Sequence, residues 1–122
     1  MIKFVQCIRR NPELSVAEFR AFWREYRAMF QQVAETVDAV RCTESMTLAV
    51  SQNLDVMLSR GTQAPFDALA EIWMTNAASL DEYARSQIFQ DLLSELRSMQ
   101  EKFIDLENSS FFFTSEDVLV GR

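Results

Sequence analysis

Ser15 to Val37 reads SVAEFRAFWREYRAMFQQVAETV. Ser15 and Glu18 form a capping box, in which a hydroxyl and a carboxylate three residues apart satisfy the orphan amides at a helix start. Behind it, Phe19, Phe22, Trp23, Tyr26, Phe30, Val33 and Val37 recur at spacings of three and four. That spacing lays one broad aromatic stripe along a helix of about five turns. A face so bulky needs a sheet to pack on. Upstream, Ile2 to Ile8 sets Ile2, Phe4, Gln6 and Ile8 against Lys3, Val5 and Cys7, the period of a strand, and Asn11-Pro12 stops it.

Downstream the same logic repeats. Val40 to Val50 reads as a second strand, with Val40, Cys42, Glu44, Met46 and Leu48 on one side and Arg41, Thr43, Ser45 and Thr47 on the other. Leu54 to Arg60 can form about two turns of helix closed by Gly61, a natural left-handed cap. Phe66 to Thr75 reads as a third strand, apolar on both faces as a central strand should be. Ser79 with Glu82 is a second capping box, opening a second long helix striped by Leu80, Ala84, Ile88, Leu92, Leu96, Met99 and Phe103. Phe111 to Thr114, continued by Val118 to Val120, closes the order. Two split β-α-β halves predict an α+β, ferredoxin-like domain: a four-stranded antiparallel sheet with two long helices on one face. At 122 residues the chain is one domain, 1–122.

Composition narrows the chemistry. The chain has no histidine, which removes Ser-His-Asp and Cys-His nucleophile systems, His-ligated haem or zinc and the usual proton shuttle near neutral pH. Acid–base work must rest on Asp, Glu, Tyr, Lys, Arg or Cys. Its two glycines, Gly61 and Gly121, leave no phosphate-cradling loop. A formal charge of −6 repels nucleic acid and anionic membrane surface alike, and no apolar run is long enough to span a bilayer. Neither metal nor cofactor is expected. Cys7 and Cys42 fall on strands roughly 10 Å apart in this topology, beyond the reach of a disulfide, so both are expected as free thiols in a reducing cytoplasm.

Two helices cover one face of a four-stranded sheet. The uncovered face, with Phe111, Phe112 and Phe113 in series on its last strand, exposes more apolar surface than a monomer tolerates, and a homodimer packing sheet on sheet is the remedy.

A family resemblance runs along nearly the whole chain. Its carriers are Met1-Ile2-Lys3, Leu14-Ser15, Glu18-Phe19-Arg20 and Phe22-Trp23, then Asn53-Leu54-Asp55 and Ser59-Arg60-Gly61. Phe66-Asp67-Ala68-Leu69-Ala70-Glu71-Ile72-Trp73, Phe103-Ile104-Asp105-Leu106 and Phe112-Phe113-Thr114-Ser115-Glu116 complete them. In this order and spacing they resemble EthD-type proteins of the dimeric α+β barrel superfamily. The resemblance implies a homodimer of ferredoxin-like subunits with a small-molecule cavity between sheet and helices. It also implies cofactor-free rearrangement of a small organic ring, as in muconolactone-type isomerases and in cyclases or dehydratases of aromatic polyketides. Many members carry a histidine four residues after the helix tryptophan. Here that position is Arg27, which cannot act as a base but can clamp a carboxylate, phenolate or enolate oxygen.

The expected site therefore joins Glu71 as general acid or base with Arg27 as electrophilic stabiliser. The alternatives are structural: Arg27 stacked on Trp23 or reaching Glu71, and Glu71 paired with Arg27 or Arg41. Trp23 and Trp73 are candidates to stack on an aromatic ligand, Tyr26 and Tyr83 to donate a proton to a carbonyl, and Gln6 to line the pocket; packing explains each of them as well. Asp67 either joins Glu71 on its strand face or caps the loop before it. The ligand is expected to be small, mostly apolar and oxygenated. Two other classes stand beside an isomerase, cyclase or dehydratase: a non-catalytic binding or accessory protein, and a cofactor-free monooxygenase.

Overall fold

In the computed structural model the described residues are 1–121, without the side chain of Ser79. The chain runs β1 (Ile2–Ile8), α1 (Val16–Thr36), β2 (Arg41–Met46), α2 (Ser51–Arg60), β3 (Ala68–Met74), α3 (Ala78–Ala84), α4 (Gln87–Phe103), a 3-10 turn (Leu106–Asn108) and β4 (Ser110–Ser115). The four strands form one antiparallel sheet in the order β2-β3-β1-β4. This is the ferredoxin-like α+β arrangement that the sequence pattern predicts.

α1 starts where the capping box places it. Ser15 accepts the Glu18 amide at 3.1 Å and Glu18 accepts the Ser15 amide at 2.9 Å. Its stripe delivers Phe19, Trp23, Tyr26, Phe30 and Val33 to the core, each burial contributing about 1.5–3 kcal/mol. Ala68, Ala70, Ile72 and Met74 of β3 face them. The two alanines let the aromatic stripe approach the sheet closely. Phe103 closes the end of the core, its ring 5.4 to 6.3 Å from those of Phe19, Phe22, Trp23 and Tyr26.

Several expectations about the elements are corrected. The second long helix is broken at Arg85–Ser86 into α3 and α4, because the Ser86 side chain accepts the Phe89 amide and starts a new helix. The break shifts the phase, so Phe89 packs on the core and Ile88 is 73% exposed. The expected cap at Ser79 rests on a side chain outside the described residues, and α3 has Ala77 at its N-cap position. β2 ends at Met46 rather than Val50, where the Thr47 hydroxyl turns to the Phe66 carbonyl. Residues 118–120 extend no strand and stand exposed.

α2 is longer than the two turns expected and ends on Gly61 at φ 63°. That left-handed conformation is strained for any residue with a Cβ, although the space around Gly61 is open. Among the described residues, no helix is long and apolar enough to cross a membrane.

Candidate functional site

The sheet divides the expected site residues between two faces. Gln6 on β1 and Glu44 on β2 are partners in register of Ala70, and so point to the helix side. Glu71 and Trp73 point the opposite way, with Lys3, Val5 and Cys7. Arg27 on α1 therefore does not meet Glu71. Lys3 Nζ lies 3.4 Å from the Glu71 carboxylate and 3.6 Å from that of Glu116. Trp73 lies between the Lys3 ammonium and the Arg41 guanidinium, 5.2 and 4.9 Å from its ring, and its indole N–H donates to Glu116 at 2.8 Å.

On the helix side, Glu44 gathers the charge. One carboxylate oxygen accepts the Trp23 indole N–H at 2.7 Å, and the other accepts Arg27 Nη1 at 2.7 Å. Trp23 and Arg27 are one helical turn apart on α1, so a single acid on the facing strand reaches both. The pair borders a cleft of about 310 Å³ between α1 and β2, lined by Arg27, Phe30, Gln31, Cys42, Thr43 and Glu44. This is within the range of small-ligand clefts, near its lower end. Burial, then the nearby Glu44 and Glu35 carboxylates, raises the Cys42 thiol above its ordinary pKa. At neutral pH it is a neutral lining group and not a thiolate.

The interior expected to be a chamber is packed. Tyr26 is fully buried, with its ring 5.4 Å from that of Trp23. Its hydroxyl donates to Gln6 and accepts from Gln100 Nε2 at 3.0 Å. Burial pushes the phenol up to about 12, partly offset by these two hydrogen bonds. Gln6 is likewise enclosed and serves this chain of amides. Asp67 accepts the Arg10 amide at 2.7 Å, the loop-capping alternative. Tyr83 lies at the α3 rim, where its hydroxyl donates to Asp38 at 3.2 Å. Cys7 and Cys42 are free thiols on opposite faces. Among the described residues, no three His, Cys, Asp or Glu side chains gather closely enough to hold a metal ion.

Glu44 is the residue that sequence reasoning missed. Its signal was visible: a lone carboxylate on the strand side otherwise occupied by Val40, Cys42, Met46 and Leu48.

An EthD domain model matches residues 11–107, most of the chain and all of this cleft. The chain belongs to the EthD family. Solved structures agree on the fold of this EthD chain. An EthD family protein from Bacillus halodurans C-125 is 14% identical, with 96% of this chain and 99% of that one covered at a TM-score of 0.58. A protein from Bacteroides fragilis NCTC 9343, described as dimeric, ferredoxin-like and of unknown function, is 5% identical over 94% of this chain and 95% of that one, at 0.63. A dimeric ferredoxin-like protein of unknown function from Jannaschia sp. CCS1 is 11% identical over 94% and 98%, also at 0.63. No curated protein matches the EthD chain in sequence.

Proposed function

We propose that the chain is a cofactor-independent enzyme that binds a small oxygenated ring compound in the α1/β2 cleft and rearranges it by proton transfer. The supporting observation is the Arg27–Glu44 pair on the cleft wall, a carboxylate held by two donors beside a half-exposed cation. Glu44 would take a proton from carbon next to a ring carbonyl and return it elsewhere on the ring. Arg27 would hold the enolate oxygen that forms, because its remaining N–H groups have no partner among the described residues. Isomerisation, β-elimination of water and aldol-type cyclisation of a carbonyl compound each proceed from that enolate. Glu44 thus takes the role expected of Glu71, which the sheet separates from Arg27.

The test is deuterium exchange at the α-carbon of a ring ketone such as 1-tetralone in D2O, followed by NMR. The wild type should accelerate exchange over buffer. Glu44→Gln should lose on the order of 100-fold of that acceleration and Arg27→Gln a similar amount, with Glu71→Gln unchanged. Full acceleration by Glu44→Gln would overturn the reading.

We also propose a homodimer through the open sheet face, in a reducing cytoplasm that keeps both thiols free. On that face Phe112 is 44% exposed and Leu69 half-buried, next to the buried Val5 and Trp73 and crossed by the Lys3–Glu71 and Lys3–Glu116 contacts, while Phe111 and Phe113 turn to the helix side. Light scattering should give twice the 14.1 kDa chain mass. A monomer at micromolar concentration would refute the pairing.

A further inference from the structure

The cleft carries information about its ligand's charge. Arg27 and Glu44 are already in contact at 2.7 Å, so their charges largely cancel within the protein. Among the described residues no second cation lines the cleft: the other walls are Phe30, Gln31, Cys42 and Thr43. An anionic ligand would find a cation whose charge is already compensated, with the Glu44 carboxylate beside it and a chain of net charge −6 around it. A cationic ligand would find a carboxylate already holding Arg27 and the Trp23 indole N–H.

Both members of the pair retain hydrogen-bonding capacity. The guanidinium has spent one of roughly five N–H donors on Glu44, and the carboxylate has used two of about four acceptor sites. Arg27 can thus donate to a carbonyl oxygen while Glu44 accepts from a hydroxyl. Phe30, only 3% exposed, and Cys42 complete the less polar part of the wall.

We infer that the cleft selects an uncharged ring compound bearing both a hydroxyl and a carbonyl group, and discriminates against the corresponding carboxylate. This inference rests on the cleft being the ligand site, as proposed above, and names the class of compound that enters it.

Two indole N–H groups make the test self-controlled. Trp23 reports on Glu44 through their hydrogen bond, and Trp73 reports on the open face through Glu116. In the full-length 15N-labelled protein, 3-hydroxyacetophenone should shift the Trp23 indole resonance and leave that of Trp73 in place. 3-Hydroxybenzoate should bind at least about tenfold more weakly. Acetophenone, which lacks the hydroxyl, should also bind several-fold more weakly. Glu44→Gln leaves Arg27 uncompensated and should reverse the order, placing the benzoate first.

If the benzoate binds wild-type protein as tightly as the hydroxyketone while shifting Trp23, the ligand class is overturned and the cleft reading survives. If no probe shifts Trp23, or if Trp73 shifts instead, the cleft reading itself falls and takes this inference with it. The wild-type ranking decides the matter even where Glu44→Gln fails to fold.

Discussion

The two faces of the sheet carry the same arrangement with different surroundings. On the helix side, Trp23 donates its indole N–H to Glu44, which also holds Arg27. On the open side, Trp73 donates to Glu116, which also approaches Lys3. The cation differs and so does the geometry: Arg27 makes one contact at 2.7 Å, whereas Lys3 stands 3.4 and 3.6 Å from two carboxylates. A planar guanidinium fixes direction, while an ammonium shared between two acids acts as a point charge. Beside the first arrangement lies a cleft, and beside the second a pleated surface. The same triad of indole, acid and cation serves a recess in one place and braces a flat face in the other.

The largest difference between the faces should appear in stability. Phe103→Ala removes a ring packed against four aromatic neighbours and should cost about 3–5 kcal/mol in urea denaturation. Phe112→Ala should cost well under half as much in folding and act mainly by weakening the proposed homodimer, read by sedimentation. Equal losses would erase the distinction.

Alkaline titration comes next. Tyr26 is neutral in the fold and its pKa rises from 10.0 to about 12, so the fold disfavours tyrosinate. Its contribution is fully present below about pH 10 and is lost as pH rises toward 12, an amount on the order of 3 kcal/mol. Tyr26→Phe should flatten stability over that window. The rim phenol Tyr83 is also raised, by desolvation and then by Asp38, and its absorbance change should precede that of Tyr26.

Truncating the acids sharpens the pairing. Glu44→Ala and Glu116→Ala each orphan an enclosed indole N–H and should cost about 1–3 kcal/mol, but only Glu44→Ala should abolish ketone deuteration. The smallest effect is that of Lys3→Gln, within about 1 kcal/mol, because its ion pairs are partly solvated.

Much of this architecture was readable from residue order. β1 has the bounds that its alternation marks, the Ser15–Glu18 box opens α1, and Gly61 closes α2. Sidedness was not readable. β3 is apolar on both faces, so period two separates Glu71 and Trp73 from Ala68 and Ala70 without saying which set meets the helices. The deciding factor was size, since the small alanines admit α1 and Trp73 would hold it off. The α3/α4 break depended on Ser86, a cap hidden inside an otherwise continuous apolar run at spacings of four and three. Glu44 was missed because a single acid on a strand side has no partner in sequence; its partners come from a helix 17 and 21 residues away.

α2 buries none of its side chains, and Leu54, Val56 and Leu58 all stand in the open. A ten-residue coil of that kind has little beyond its own ladder to hold it, so it should breathe independently of the sheet and be the first place a protease cuts. The excursion between β2 and β3 is consequently where insertions, deletions or a grafted tag can be absorbed, leaving the recess beside α1 as it is.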